Sequence, residues 1–312
     1  MIDKKIIVGA RKSQLSLTQT NGVITVLKGF FPDYDFELKT ITTAGDRSME
    51  PAALFNHQGI FVKEIEEALL RGAIDLGVHS LKDMPCAIRD GLALGAVGER
   101  EDPRDAFLSR DGSALCDLKP GALIGTSSVR RRAQLLLARP DLKVVEMRGN
   151  VDTRLRKLQA GEVDALVIAC AGLVRLGQEP CITERLSLDM MLSAPCQGAL
   201  GLEIRHDDAR LRAVAARFDH ALTRACVTAE RAFLQTLGGG CSLPVGALAR
   251  LEAGVFTLTG QVVDPDGKKA IRRSVSGPMA APQALGETLA RELWDADGAW
   301  IKLALQSPYS KK

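Results

Sequence analysis

The first half of the chain repeatedly follows a short apolar run with an amphipathic segment, and this alternation constrains the fold more than any other feature. Ile6-Ile7-Val8 is the first run, and Leu17, Ile24 and Leu27 follow on one helical face. A second predicted helix carries Phe61, Ile65, Ala68 and Leu69. Further strands are predicted near residues 74–78, 123–124, 144–145 and 166–168. The alternation predicts parallel sheets covered by helices.

Two segments interrupt this pattern. GEREDPRD (98–105) is charged and contains Pro103, and LSAPCQGALG (192–201) is rich in small and turn-forming residues. A pair of crossovers predicts two lobes with a cleft between them. After a helical region near 207–236, the strands VFTLTGQVVD and KKAIRRSVSG are joined by a Pro265-Asp266-Gly267 turn.

We therefore predict an α/β fold of two doubly wound lobes with crossing linkers, followed by a smaller α+β C-terminal domain. The expected boundaries are 1–98 with 200–216 for the first lobe, 104–192 for the second and 219–312 for the C-terminal domain. A chain of 312 residues is long enough for two or three cores.

Composition excludes several classes of protein. A net charge of +3 and an aromatic content of 4% argue against a nucleic-acid partner. No apolar run approaches the roughly 18 residues of a membrane span. The chain has seven cysteines without a CxxC pair and four scattered histidines, which indicates reduced thiols and neither a disulfide framework nor a metal site. We expect a cytoplasmic protein.

Arginines stand at the start of a predicted helix in GTSSVRRRAQL. Ser127 or Ser128 is the expected N-cap, and Arg130, Arg131 and Arg132 fall in the first turns. Cations at a helix N-terminus oppose its dipole by roughly 0.3–1 kcal/mol each. The cluster therefore indicates either an anion bound at this place or a solvated charged face, and these residues alone do not separate the two.

A second strand end carries the same arrangement. In EMRGNVDTRLRKL, Arg148 follows a strand and Arg154 lies on the next helix, while VGARKSQLS contributes Arg11 and Ser13 from the first lobe. Ligands of doubly wound sheets bind at this edge, and the planar fork of arginine matches a carboxylate. The predicted ligand carries several carboxylates or phosphates.

One acid stands among these bases, in HSLKDMP. Pro85 forces a loop after the predicted strand, which places Asp83 at the cleft. An ionised carboxylate there would stabilise a cation or transfer protons. Taken alone, the motif favours a plainer alternative, a loop aspartate paired with Lys82. For His79 the default expectation is a packed or hydrogen-bonded side chain.

Cys241 stands after three glycines in LGGGCSLPVG. A nucleophilic cysteine needs a base or a helix N-terminus to lower its pKa, and neither a histidine nor a basic run stands beside this one. The residues alone leave two alternatives, an exposed thiol without an assigned role and a structural turn.

Eight segments, in order and over essentially the whole chain, resemble the porphobilinogen deaminase (hydroxymethylbilane synthase) family. They are GARKSQLS, GIFVKEIEEALL, HSLKDMP, EREDPRDAF, GTSSVRRRAQL, MRGNVDTRLRKL, QGALGLE and GGGCSLPVG. The resemblance implies three domains, the first two built like the lobes of a periplasmic binding protein.

The resemblance also implies an activity and a cofactor. In this family the cysteine at the position of Cys241 is joined by a thioether to a dipyrromethane, which primes the chain and is not consumed. The implied enzyme is a monomeric transferase of tetrapyrrole biosynthesis. It condenses four porphobilinogens, releases ammonia from each and hydrolyses off hydroxymethylbilane.

Porphobilinogen carries an acetate and a propionate, which gives the arginines a purpose. By the resemblance, Asp83 is the catalytic aspartate that stabilises cations and moves protons. The implied cofactor- and substrate-binding residues are Arg11, Ser13, Phe61, Lys82, Thr126, Ser127, Ser128, Arg130, Arg131, Arg148, Arg154 and Gln197. No metal is implied.

This sequence departs from the family pattern at two places. Gln58, beside His57, stands where a basic residue is expected, and Cys196 replaces the glycine usual before Gln197. Two other classes of protein fit the residues less well. A two-lobed solute sensor would share the crossovers but gives Cys241 no role, and a nucleic-acid binder would use the arginines but lacks aromatic platforms.

Overall fold

The structure is a computed structural model, and it describes residues 4–43, 62–238 and 243–306. The chain forms two compact units. They are Met1–Glu101 with Ala199–Arg224, and Asp102–Gly198 with Ala225–Lys312. The chain passes between the units three times, and the first two passages lie inside the segments predicted to be crossovers.

The first unit is built on one sheet. Its strands are β1 (Lys5–Arg11), β2 (Asp35–Ile41), β3 (Leu76–Ser80), β4 (Leu92–Val97) and, after the second passage, β10 (Leu200–Arg205). Its helices are α1 (Gln14–Phe30), α2 (Lys63–Leu70) and α6 (Ala209–Ala215), with 3-10 turns at Leu81–Asp83 and Ala216–Phe218. The strand order is β2-β1-β3-β10-β4.

Both faces of this sheet are covered, because successive side chains of a strand point to opposite faces. Ile6 and Val8 pack in one apolar cluster with Leu27 of α1, whereas Ile7 packs against a second cluster that contains Leu69 of α2. The helices predicted around these residues are therefore confirmed, except that α2 begins at Lys63.

The second unit contains a sheet of the same pattern. Its strands are β5 (Asp105–Ser109), β6 (Leu123–Gly125), β7 (Lys143–Val145), β8 (Ala165–Ala169) and β9 (Glu184–Arg185). Its helices are α3 (Val129–Ala138), α4 (Val151–Gln159) and α5 (Cys170–Arg175), with 3-10 turns at Leu115–Asp117 and Glu179–Cys181. The order is β7-β6-β8-β5-β9.

The predicted parallel pairing is observed for β1 with β2 and β3 and for β6 with β7 and β8, but both sheets are mixed. β10 runs antiparallel to β3 and β4, and β5 runs antiparallel to β8 and β9. In each sheet the reversed strand is the one that enters directly after a passage from the other unit. Such a strand is not joined to its neighbours by a helical crossover, so the rule that keeps βαβ strands parallel does not apply to it.

The second unit also holds the C-terminal layer. β11 (Val245–Glu252), β12 (Val255–Val263) and β13 (Ala270–Gly277) form an antiparallel sheet, which packs against α8 (Pro282–Gln306). The long helix α7 (Ala221–Thr236) precedes it. The hairpin predicted at Pro265-Asp266-Gly267 is confirmed, and the predicted α/β class with a small α+β addition is observed.

Across the described ranges, none of the helices combines the length and the apolar character that a membrane crossing requires.

Candidate functional site

The first unit brings several predicted site residues to one edge of its sheet. β1 and β3 are parallel neighbours, so their carboxyl ends, at Arg11 and Ser80, lie on the same side. Ser13 caps α1 by accepting a hydrogen bond from Ser16 N. Gln19 of the same helix exchanges hydrogen bonds of 3.1 and 3.2 Å with the Ser80 hydroxyl. The start of α1 is thus tied to the end of β3.

Asp83 lies three residues beyond Ser80, in the 3-10 turn Leu81–Asp83. Leu81 and Met84 on either side are 1% and 2% exposed, and Met84 N donates to Leu81 O. Asp83 itself is exposed, and Lys82 beside it is half-buried. Two buried side chains therefore hold a turn that presents a carboxylate to solvent.

In the second unit, the arginine helix begins as predicted. Ser128 is the N-cap of α3 and accepts from Arg131 N, while Thr126 Oγ1 accepts from Ser128 N. The other candidate for the cap, Ser127, instead donates to the carbonyl of Met147, at the end of the neighbouring strand segment. These three hydroxyls fix the strand end from which the helix starts.

The two arginines of the first turn converge on an acid that the motif analysis did not single out. Asp105, the first residue of β5, is 0% exposed. Its Oδ1 accepts from Arg131 Nε at 2.9 Å, and its Oδ2 lies 2.7 Å from Arg130 Nη1. Gln197 Nε2 donates to Oδ1 at 2.9 Å. The anion expected at this helix start is, in part, the protein's own.

The charges of this cluster do not cancel. Arg130 and Arg131 are 4% and 7% exposed and carry two positive charges against one carboxylate. Burial raises the pKa of Asp105, but the two guanidiniums outweigh burial and hold that pKa far below its usual range. Arg130 Nε is buried without a hydrogen-bond partner among the described residues. A surplus positive charge and an unused donor remain for an external anion.

Gln197 belongs to the same cluster, and the crossover that carries it is fixed from two sides. Its Nε2 also donates to Pro103 O at 2.8 Å. One residue earlier, Cys196 N donates to Glu230 Oε2 at 2.6 Å, and Glu230 Oε1 accepts from Ala249 N. Glu230 is fully buried and so joins the crossover to the C-terminal sheet.

Cys196 has a φ of 64°, a left-handed conformation that favours glycine. The glycine expected at this position from the resemblance suits this conformation. Arg175, which the motif analysis passed over, donates to the carbonyl of Gly198 at 2.6 Å and thereby reaches the same crossover.

Arg148 and Arg154 lie beyond the end of β7 and are half-buried. Arg148 pairs with Glu146, its Nε donating to Oε1 at 2.7 Å, and Arg154 Nε donates to the carbonyl of Gly149 at 2.8 Å. Thr126 N donates to Val145 O, so the ends of β6 and β7 lie side by side. The structure thus confirms that two neighbouring strand ends carry arginines.

Four residues discussed from the sequence lie outside the described residues: His57, Gln58, Phe61 and Cys241. Within the described ranges, no group of three or more His, Cys, Asp or Glu side chains is arranged to hold a metal ion.

Comparison with known proteins identifies the family to which this chain belongs. The family model "Porphobilinogen deaminase, dipyromethane cofactor binding domain" matches residues 6–213, and the model of the C-terminal domain of the same enzyme matches 224–295. The chain belongs to the porphobilinogen deaminase family. The sequence-based assignment is therefore confirmed.

Curated members of the family cover nearly the whole chain. The porphobilinogen deaminase of Desulforudis audaxviator is 50% identical over 93% of this chain and 94% of its own. That of Brevibacillus brevis is 48% identical over 95% and 96%. Among solved structures, the aliphatic sulphonate binding protein SsuA from Escherichia coli is similar at 15% identity, covering 75% of this chain and 70% of its own, with a TM-score of 0.39.

The family model that matches the first two-thirds of the chain is that of a dipyrromethane-binding domain. The donor set of the second unit fits such a cofactor, because a dipyrromethane carries carboxylate arms. The buried Arg130 and Arg131 carry one positive charge more than the single carboxylate of Asp105 neutralises. The Nε of Arg130 also has no hydrogen-bond acceptor among the described residues.

Proposed function

We propose that this chain condenses four porphobilinogens head to tail into hydroxymethylbilane, releasing ammonia at each addition, on a dipyrromethane joined to Cys241 by a thioether. The observation that carries the proposal is the buried Arg130–Arg131–Asp105 cluster with its surplus positive charge. A buried guanidinium pair with one counter-ion is costly unless a further anion arrives, and the substrate and primer both supply carboxylates.

When bound, the dipyrromethane supplies the pyrrole carbon to which the first substrate is added. Arg130, Arg131 and Arg148 bind acetate and propionate arms in the second unit, with Thr126, Ser127 and Ser128 shaping the strand end around them. Gln197 keeps Arg131 oriented, because its Oε1 accepts from Arg131 Nη2 while its Nε2 donates to Asp105. Arg154 completes the basic strand end.

Arg11 and Ser13 bind the incoming porphobilinogen, Phe61 contributes to substrate binding, and Lys82 binds the acidic arms of the cofactor. Asp83 stabilises positive charge on the pyrrole rings and accepts the proton that leaves when two rings are joined. Its exposed position on a rigid turn supports this role, since a proton acceptor must reach the reacting ring without reorganising.

We also propose that the enzyme acts in the cytoplasm and as a monomer. The six cysteines among the described residues form no disulfide bonds, which suits a reducing compartment.

Turnover of porphobilinogen by the purified protein tests this function. The expected result is release of four ammonia molecules for each hydroxymethylbilane formed. Tight binding of porphobilinogen without ammonia release would instead identify a solute sensor and overturn the proposal.

A further inference from the structure

A histidine and a glutamate form a buried pair in the sheet of the first unit. His79 Nε2 on β3 lies 2.9 Å from Glu203 Oε2 on β10, and the two side chains are 4% and 0% exposed. The strands are antiparallel neighbours, with Gly201 opposite His79 and Glu203 opposite Gly77. The pair therefore lies on a diagonal between the two strands.

Stability does not explain this pair. Replacing a buried ion pair by apolar residues of similar volume is often neutral or stabilising. Here Glu203 Oε1 is moreover buried without a hydrogen-bond partner among the described residues. Glu66 of α2 lies near the pair, and burial together with the Glu203 charge raises the pKa of Glu66, while Arg89 lies 3.7 Å from its carboxylate. A core built for stability alone would hold apolar side chains here.

The position of the pair along β3 suggests its purpose. His79 and the next two residues are each tied to another segment of the unit. His79 pairs with β10, Ser80 exchanges hydrogen bonds with Gln19 of α1, and Leu81 N donates to Ala199 O at 3.1 Å. The turn that presents Asp83 follows at once.

The packing beneath that turn depends on which residue of β10 lies opposite it. A Cβ on Gly201 would come within 2.4 Å of Leu81 Cδ2, so Leu81 is seated directly on a glycine. If β10 shifted along β3, Leu81 would meet a larger side chain, Leu200 or Leu202, and the turn would be displaced. Apolar side chains tolerate such a shift of β10, because one can take the place of another. A buried polar pair does not tolerate the shift, because its two side chains would be separated.

We propose that the His79–Glu203 pair is a positioning device for Asp83, fixing β10 in register with β3 so that the Leu81–Asp83 turn is held in its reactive place. The proposal rests on the catalytic role of Asp83 proposed above.

The test is the double variant His79→Leu with Glu203→Met, which replaces the pair by apolar side chains. Its matched control is Lys5→Leu with Glu37→Met, which removes an exposed pair of 2.7 Å from the same sheet. Both proteins are purified with their primer, whose presence is checked by intact mass. The unfolding temperature, kcat and KM are then measured on porphobilinogen.

We expect the double variant to fold with an unfolding temperature near that of the wild type and to carry its primer. Its kcat should fall about tenfold or more with KM little changed, because small misplacements of a reacting group cost rate more than binding. Glu203→Gln keeps the hydrogen bond and should retain most of the wild-type kcat. The control should match the wild type in every measurement.

A folded double variant with the kcat of the wild type would overturn the proposal. So would a fall in rate that is fully explained by a smaller amount of folded protein. Failure of the double variant to fold would also contradict it, because the pair would then serve stability. The proposed function is tested separately: if Asp83→Asn turned over normally, the role of Asp83 would fail whatever the pair does.

Discussion

The Nη2 of Arg131 lies 2.8 Å from Oδ1 of Asp105, a carboxylate with no exposed surface. This contact places a permanent counter-charge beneath the guanidiniums that are proposed to bind the primer. Without Asp105, the two guanidiniums would be buried with no negative charge beside them whenever no ligand is bound. Asp105 therefore makes a charged and buried ligand site compatible with a folded protein.

Asp105→Asn should destabilise the protein by about 3–5 kcal/mol, because it leaves two buried guanidiniums without their counter-charge. Urea unfolding measures the change. Glu162→Gln is the control, since it removes one partner of an exposed pair in the same unit and should cost less than about 1 kcal/mol. Equal costs for the two variants would show that the buried cluster does not depend on its acid.

The same contact makes stability depend on pH. Burial raises the pKa of Asp105, but the two arginines outweigh burial and hold that pKa in the folded state below the ordinary value of an aspartate. The unfolded chain therefore takes up a proton first as the pH falls, and the contribution of Asp105 is present above its unfolded pKa and lost below it.

Unfolding free energies measured between about pH 7 and pH 3 should thus fall less steeply for Asp105→Asn than for the wild type. The difference in stability between the two proteins should narrow as the solution becomes more acidic. A constant difference over this range would mean that the ionisation of Asp105 does not contribute.

Asp83→Asn should retain the primer and bind porphobilinogen while losing at least about nine-tenths of turnover, which corresponds to roughly 1.4 kcal/mol in the barrier. The amide has the shape of the carboxylate but neither balances a cation nor accepts the proton. Asp90→Asn, another exposed aspartate of the first unit, should turn over normally. Turnover of Asp83→Asn above that limit would remove its catalytic role.

Arg11 and Arg148 should fail at different stages of the reaction, because they belong to different units. Arg148→Leu should yield protein without primer. Arg11→Leu should carry the primer and stop before the next ring is added. A lost charged contact to a carboxylate costs on the order of 1.5–3 kcal/mol. Native mass spectra after addition of porphobilinogen distinguish the two, and a full ladder of added rings on Arg11→Leu would contradict this division.

Much of the fold could be predicted from sequence because apolar periodicity reports local structure. The runs at Ile6 to Val8 and at 166–168 became β1 and β8, and the turn at Pro265 became a hairpin. Strand direction could not be predicted. β5 and β10 enter their sheets after a passage between units, and neither periodicity nor turn chemistry records the direction in which such a strand is inserted.

The candidate site likewise contains residues that local sequence could predict and residues that it could not. The arginines at strand ends could be found because they oppose the helix dipole, which is a local conflict visible in the sequence. Asp105 and Glu230 were missed because their partners lie far along the chain, at Arg131 and Cys196. The only signal for Asp105 was an acid at the first position of a buried apolar strand, in RDAFL.

The proposed function depends on a dipyrromethane attached to Cys241, and the intact mass of the purified protein tests this attachment. The wild type should be heavier than its sequence by two linked pyrrole units, peptide mapping should locate the increment on Cys241, and Cys241→Ser should have the mass of the bare chain. Cys196→Gly should keep the increment. A wild-type mass equal to that of the sequence in a protein that still converts porphobilinogen, or an increment that survives Cys241→Ser, would contradict the account.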